Sequence, residues 1–277
     1  MKLLFVYDML PEHDLHWRDG LWAALHELEK EWEVEYLNIA VNKDWKDTIL
    51  HRQVDFVLGW GNSSSPFFYQ LRIVSVGGQG GWCFGGGDIN DPQLEIFPVV
   101  FVENQSHLIK PNFKLAFGTN TNVFFPRPLP KLIDALYPAA FARWKHQEIF
   151  AEICKNENLK GLAVGYIQRN NPDESMEIIK ECLDRGVGVL DWIPAESLAL
   201  LYNMSKEVII TADPQGGCER TVLEAKASGV PVKLVTSSQK LLDLGKLIPQ
   251  EVREYWNHIK YAEALKKGIN EVLSNGR

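Results

Sequence analysis

The stretch DPQGGCERTVLEAKASGVPV, residues 213–232, decides the fold: a strand ends, the chain turns through two glycines, and a helix begins near Glu219. The apolar run EVIITAD (207–213) predicts the strand. Backbone N–H groups in the first turn of a helix have no partner within the helix and carry the positive end of its dipole, so they attract phosphate. Gly216 and Gly217 allow a ligand to approach the backbone closely. The stretch therefore predicts a phosphate-binding turn.

The helix after this turn carries further candidate ligands. Its start is formed by Cys218, Glu219, Arg220 and Thr221, which would lie beside the phosphate. Glu224 comes about a turn and a half later, where its carboxylate would reach a ribose while the helix start holds the phosphates. The alternative for Arg220 and Thr221 is that they pair with neighbours or cap the helix. The alternative for Glu224 is a solvated carboxylate.

Apolar runs alternate with helical periodicity on both sides of this stretch, which predicts an α/β protein with parallel strands. The predicted strands lie at 2–8, 33–39, 55–60, 72–77, 99–104 and 114–118, then at 132–141, 161–168, 187–192, 207–213 and 230–235. The proline-rich stretch FFPRPLPK (124–131) separates the two sets. We therefore expect two Rossmann-like domains, residues 1–126 and residues 127–277, the second with a terminal helix over 251–275.

Composition excludes several classes of protein. A net charge of −7 over 277 residues argues against a protein that binds nucleic acid by neutralising many phosphates. No window of eighteen uncharged apolar residues predicts a membrane span, and the N-terminus lacks the features of a signal peptide. The four cysteines are far apart and form no CxxC motif: Cys83, Cys154, Cys182 and Cys218. These features predict a cytoplasmic protein with free thiols.

The stretch 213–232 resembles the donor-binding motif of GT-B glycosyltransferases of the retaining, GT4-like type (glycosyl transferases group 1). In that motif a Gly-rich turn lies between two Glu residues eight positions apart, and EAMA-G-PV follows; LEAKASGVPV matches it with Glu224. The resemblance implies two Rossmann-like domains that face each other across a cleft, with a nucleotide sugar bound to the C-terminal one. It implies that Glu224 binds the ribose hydroxyls. Gly216 stands where the family has its first Glu, which contacts the donor sugar.

The same resemblance assigns roles to residues outside the motif. Arg143 and Lys145 fall where the family has an Arg and a Lys after the first strand of the donor domain. Such cations hold the diphosphate and neutralise the charge that develops on the leaving group, so both are implied as catalytic residues. The run VGVLDWIP resembles the family's segment beside the nucleotide base, which implies that Trp192 and Ile193 border the base. A buried core position is the alternative for Trp192.

Polar residues after the N-terminal strands are candidates for an acceptor site. Asp8 ends the first predicted strand, His13, His16 and Arg18 lie in the loop that follows, and Glu103 follows a later strand. Ligands of open α/β sheets bind beyond the carboxyl ends of the strands. We therefore expect a glycan or another small acceptor at these residues. Exposed loop residues without a ligand are the alternative.

A glycine-rich segment gives a weaker signal. Residues 77–87 hold seven glycines but lack the GK[ST] ending of a P-loop and do not open a predicted helix. We expect a mobile loop over the cleft, and a disordered segment is the alternative. No DxD motif is present, and Asp88-Ile89-Asn90 is the nearest approach to one. The sequence therefore predicts no metal site, with cations and a helix start in place of Mn²⁺ or Mg²⁺.

Together these features predict an enzyme, a metal-independent and retaining glycosyltransferase of the hexosyltransferase type. Its co-substrate would be a UDP-sugar or GDP-sugar, with no further cofactor. A nucleotide-sugar 2-epimerase of the same fold is one alternative. A catalytically inactive nucleotide-sugar-binding protein is the other, because the first Glu of the motif is missing.

Overall fold

The computed structural model describes residues 1–9, 20–51, 53–61 and 80–275. They form two compact units. The first unit contains the described residues as far as Gly118 together with the C-terminal segment that begins at His258. The second unit is Thr119–Asn257.

The first unit is built on a six-stranded parallel sheet. Its strands are β1 (Lys2–Tyr7), β2 (Glu33–Asn38), β3 (Phe56–Gly61), β4 (Gly80–Phe84), β5 (Val99–Val102) and β6 (Phe113–Leu115). The strand order is β2-β1-β3-β4-β5-β6. The order reverses between β1 and β3, as in doubly wound folds. The predicted strand at 72–77 lies outside the described residues.

The second unit has a five-stranded parallel sheet. Its strands are β7 (Ile133–Pro138), β8 (Gly161–Val164), β9 (Gly188–Leu190), β10 (Ser205–Ile210) and β11 (Val232–Leu234). The strand order is β11-β10-β7-β8-β9, the Rossmann order, and it reverses between β7 and β10. A ligand of this sheet is therefore expected where the loops after β7 and β10 meet.

Helices connect the strands of both units. They are α1 (Gly20–Leu28), α2 (Trp45–His51), α3 (Gln147–Asn156), α4 (Pro172–Asp184), α5 (Ala195–Met204), α6 (Glu219–Ala227), α7 (Gln239–Lys246), α8 (Pro249–Tyr255) and α9 (His258–Asn275). Strand residues such as Leu4 and Ile209 are fully buried, as expected for parallel strands between layers of helices. In the described part of the chain, no helix combines the length and apolar character needed to cross a membrane.

The prediction of a mobile loop over residues 77–87 is wrong for the part that the structure describes as β4. This strand pairs with β3 on one side and β5 on the other, and all its residues are buried. Trp82 fills the core of the first unit. A Cβ atom on Gly81 would come within 3.0 Å of Val99 and 3.1 Å of Phe56, so the glycine marks a close approach of neighbouring side chains.

The observed division of the chain differs from the predicted boundary at 126–127, which assigned the terminal helix to the second domain. In the structure α9 packs against α1 and β5, both in the first unit. Leu265 and Ile269 on its inner face are completely buried. Gly268 lies against the Phe101 ring, because a Cβ atom there would come within 2.6 Å of Cε1. The apolar face of α9 therefore completes the core of the first unit.

Candidate functional site

The loops after β7 and β10 are fixed to each other at the point where the strand order reverses. A 3₁₀ turn, Arg143–Lys145, follows β7. The backbone N–H of Asp213 donates to the carbonyl of Trp144 (3.0 Å). The Thr211 hydroxyl donates to the carbonyl of Lys145 (3.0 Å). The 3₁₀ turn is thus held directly against the chain that leaves β10.

The two positions of the predicted phosphate turn require glycine for different structural reasons. A Cβ atom on Gly216 would lie 2.4 Å from the carbonyl oxygen of Trp144 and 2.9 Å from the Cβ of Ala212, so no side chain fits there. Gly217 has a φ of +69°, and Cys218 follows with a φ of +83°, which is uncommon for a residue other than glycine. The turn therefore brings its backbone, without side chains, to the carboxyl edge of the sheet.

An ammonium group stands over this turn. Lys145 Nζ donates to the carbonyl oxygen of Gly216 and lies 3.4 Å from Cys218 Sγ. Cys218 occupies the N-cap of α6 and makes no side-chain capping hydrogen bond to it. A helix start and a cation together favour a bound anion. The structure thus brings Lys145, Gly216, Gly217 and Cys218 together, and this group is called the anion turn below.

Glu219, the first residue of α6, is an ionised and buried partner of the anion turn. Its side chain is 4 % exposed and its Oε1 lies 2.5 Å from Nζ of Lys240, on α7. Burial raises the pKa of Glu219, but the ammonium groups of Lys240 and Lys145 lower it by more, so the pKa lies below its ordinary value. Sequence reasoning missed Lys240. Its position, just beyond the carboxyl end of a predicted parallel strand, was the available signal.

Arg143 does not share the position of Lys145. Its guanidinium makes ion pairs with Glu181 (2.9 Å) and Glu177 (3.1 Å) of α4, and the side chain is 38 % exposed. These contacts direct Arg143 away from Gly216. The structure therefore brings one of the two predicted cations to the anion turn, and the other one anchors the 3₁₀ turn to α4.

The remaining candidates on α6 are more buried than the sequence suggests. Glu224 is 1 % exposed, and the Tyr202 hydroxyl of α5 donates to its Oε2 (2.8 Å). The Thr221 hydroxyl donates to the carbonyl of Pro138 (2.9 Å), so it ties the helix to the end of β7 and does not face the anion turn. Arg220 is partly buried and precedes Glu224 by four residues, which places both on one helix face.

Two aromatic rings meet at the carboxyl ends of β8 and β9. Trp192 packs edge-on against Tyr166, with the ring centroids 5.0 Å apart. The backbone N–H of Trp192 donates to Oδ1 of Asp191 (2.7 Å), and Ile193 is partly buried. Because β9 is three strands from β10, the strand that leads into Trp192 lies about 14 Å along the sheet from the strand that leads into the anion turn.

Of the predicted acceptor residues, the structure describes Asp8 and Glu103, which follow different strands. Asp8 is exposed at the end of β1, and Glu103 is partly buried after β5. Since β3 and β4 lie between these strands, the two carboxylates belong to strands about 14 Å apart. His13, His16 and Arg18 lie outside the described residues.

Carboxylates that hold a metal would have to converge from several positions. Among the residues that the structure describes, no group of three or more His, Cys, Asp or Glu side chains is arranged to hold a metal ion. Asp88-Ile89-Asn90 forms a local turn, in which Oδ1 of Asp88 accepts a hydrogen bond from the N–H of Asn90 (2.9 Å). The absence of a metal requirement stays a prediction.

Solved structures with the same fold include glycosyltransferases and an epimerase. AviGT4, a glycosyltransferase involved in avilamycin A biosynthesis, has a TM-score of 0.70 and 15% identity, over 99% of this chain and 98% of its own. Sucrose-phosphate synthase from Thermosynechococcus elongatus has a TM-score of 0.71 and 14% identity, over 99% and 100%. UDP-GlcNAc 2-epimerase from Neisseria meningitidis, bound to UDP-GlcNAc, has a TM-score of 0.56 and 13% identity, over 99% and 99%.

These likenesses confirm the predicted fold class. The chain is an α/β protein of the GT-B type, with two Rossmann-like units and a parallel sheet in each. No family model matches the chain, and no curated protein matches it in sequence. Identities of this size establish the fold, and the activity has to be argued from the site.

Proposed function

We propose that this protein is a glycosyltransferase that moves a hexose from a UDP-sugar or GDP-sugar to a glycan or another small acceptor. The observation that carries the proposal is the Lys145 ammonium over the start of α6, at the point where the strand order of the second sheet reverses. The two glycosyltransferases that share the fold over the whole chain support it.

The anion turn suits the chemistry of this transfer. As the bond between the anomeric carbon and the diphosphate breaks, negative charge grows on the leaving diphosphate. The ammonium of Lys145 and the backbone amides at Gly217 and Cys218 would stabilise that charge without a metal ion. Arg143 would act indirectly, by anchoring the 3₁₀ turn to α4. The transfer is proposed to retain the configuration of the anomeric carbon, because the sequence motif resembles that of the retaining, GT4-like enzymes.

The remaining donor contacts follow from the helix and the aromatic pair. Glu224 would bind the ribose, which requires the Tyr202 hydroxyl to turn away because the carboxylate is covered in the free protein. Trp192 and Ile193 would border the base. A Glu224→Ala variant that binds the nucleotide as tightly as the wild type would contradict the role of Glu224.

A pair of matched variants tests the proposal. The protein is incubated with UDP-glucose, UDP-GlcNAc and GDP-mannose, each with mixed glycan acceptors, and released UDP or GDP is measured. We expect K145M to lower the turnover number by about 10²–10³-fold, the usual effect of removing one stabilising donor. R143M removes a neighbouring cation of the same loop and is expected to change turnover by less than about threefold.

Equal losses in K145M and R143M, or no loss in K145M, would refute the assignment of the leaving-group role to Lys145. Release of neither nucleotide from any of the three donors would refute the transferase proposal. In that case a rise in melting temperature on adding the sugars identifies an inactive binding protein.

The likeness to the UDP-GlcNAc 2-epimerase supports a second candidate function, nucleotide-sugar 2-epimerisation. An epimerase inverts the configuration at C2 of the sugar and returns it still attached to the nucleotide. Proton NMR of the sugar ring after incubation with UDP-GlcNAc separates the two functions. A new C2 epimer without a glycosylated acceptor would replace the transferase proposal with this one.

A further inference from the structure

A buried carboxylate lies between two lysines beside the anion turn. Glu219 pairs with Lys240, whose own side chain is only 16 % exposed. The position of a Cβ atom on Gly217 would be 3.3 Å from Nζ of Lys145 and 3.4 Å from Oε2 of Glu219. The ammonium of Lys145 and the carboxylate of Glu219 therefore border the same small volume above Gly217.

Possible partners of the Lys145 ammonium here include the Gly216 carbonyl, the Glu219 carboxylate and a bound anion. A carboxylate forms stronger hydrogen bonds with an ammonium group than a neutral carbonyl does. Lys145 nevertheless donates to the neutral carbonyl of Gly216, while Glu219 is paired with Lys240. An incoming anion would have to displace that carbonyl and the contact with Cys218 Sγ. Without Lys240, the carboxylate would hold Lys145 itself and repel the anion.

Charge counting gives the same result. Lys145, Lys240 and Glu219 carry a net charge of +1 together, since Glu219 is ionised. Removing Lys240 leaves a neutral pair of Lys145 and Glu219 at the place where an anion has to bind. The contribution of this cluster to the attraction of the anion would then be lost.

We propose that Lys240 is a positioning residue of the diphosphate site, which neutralises Glu219 and so leaves Lys145 available to the diphosphate. The proposal rests on the proposed function, because it names the diphosphate as the ligand of the anion turn. Lys240 touches no ligand in this arrangement. It acts through Glu219.

Inorganic diphosphate is the probe, because it contains neither base nor sugar. Its affinity is measured by calorimetry for the full-length wild type, K240M, K240R and the double variant E219Q/K240M, with circular dichroism to verify folding. We expect K240M to bind about tenfold more weakly, equivalent to about 1.4 kcal/mol. K240R keeps the positive charge and is expected to bind like the wild type. E219Q/K240M is expected to recover to within about threefold of the wild type, because the competing carboxylate is gone.

Two other binding results would contradict the proposed role of Lys240. Wild-type affinity in K240M refutes the positioning role. A double variant as weak as K240M shows that Lys240 contacts the diphosphate itself and also refutes it. K240M leaves a buried carboxylate without its nearest partner and is the variant most prone to unfold. If it does, K240Q takes its place, because its amide can still donate to Glu219 but carries no charge. We expect K240Q to bind diphosphate about tenfold more weakly than the wild type, and wild-type affinity in K240Q would refute the positioning role.

Diphosphate binding and nucleotide release together distinguish a failure of this proposal from a failure of the proposed function. A wild-type protein that binds no diphosphate refutes both proposals. A protein that binds diphosphate with the expected order of variants, but releases no nucleotide from the three sugars, refutes the transferase proposal alone.

Discussion

Replacing Gly216 with alanine tests whether the loops after β7 and β10 are packed as described. The new methyl group would lie 2.4 Å from the carbonyl oxygen of Trp144, whereas ordinary contacts begin at 3.4 Å. The 3₁₀ turn would therefore have to move by about 1 Å, the difference between these distances. Overpacking of this kind typically costs about 1–3 kcal/mol. Because Lys145 follows Trp144 directly, its ammonium would move with the turn.

The expected result is a loss of both stability and turnover. A cost of about 2 kcal/mol lowers the melting temperature by roughly 4–8 °C in a protein of this size. A displacement of about 1 Å at the site lowers turnover by up to about 10²-fold. Differential scanning calorimetry and the nucleotide-release assay measure these effects.

Gly188→Ala on β9 is the matched control for G216A. The nearest atom to its new methyl group is Cδ1 of Leu162, the end of a flexible side chain, at 3.2 Å. We expect this control to keep wild-type turnover. A G216A variant with wild-type melting temperature and wild-type turnover would refute the packing of the two loops and the position of Lys145 that depends on it.

Tyr202→Phe removes the hydroxyl that donates to the buried carboxylate of Glu224, and we expect urea denaturation to show a loss of about 1–3 kcal/mol; wild-type stability would contradict this role. Burial raises the pKa values of Cys154 and Cys182 to about 12, so both thiols stay protonated at pH 8. We expect iodoacetamide to label them only after denaturation, and labelling of the native protein would contradict this. The pKa of Glu219 is lower in the folded protein than its ordinary value, so the stability from its carboxylate is present at neutral pH and is lost as the pH falls below about 4. The difference in melting temperature between wild type and E219Q should therefore narrow between pH 5 and pH 3, and a constant difference would count against the ion pair.

The parts of the fold that depend on neighbours in sequence could be predicted from the sequence. The strand before the phosphate turn was expected at 207–213 and is found as β10, and the helix was expected near Glu219, where α6 begins. A strand, a glycine turn and a helix start have local causes, namely residue size, backbone freedom and periodicity. The same applies to β1 and β2, which agree with their predictions to within one residue at each end.

Features that depend on distant residues were not predicted. The glycines of residues 77–87 indicated a loop, whereas Gly81 lies in β4 where Phe56 and Val99 of the neighbouring strands approach closely. The direction of the Arg143 side chain depends on the carboxylates of α4, more than thirty residues later. The pairing of Lys240 with Glu219 depends on where α7 packs in the folded chain. In each case the cause is a tertiary contact, which a single sequence does not reveal.

The attachment of α9 to the first unit has a consequence for how the protein is made. The ribosome synthesises Thr119–Asn257 before it adds the helix that completes the first unit. Until then the Phe101 ring lacks its cover at Gly268, and the first unit cannot reach its final packing. A premature stop after Asn257 would therefore remove the helix that covers Phe101 and leave the earlier unit open to proteolysis.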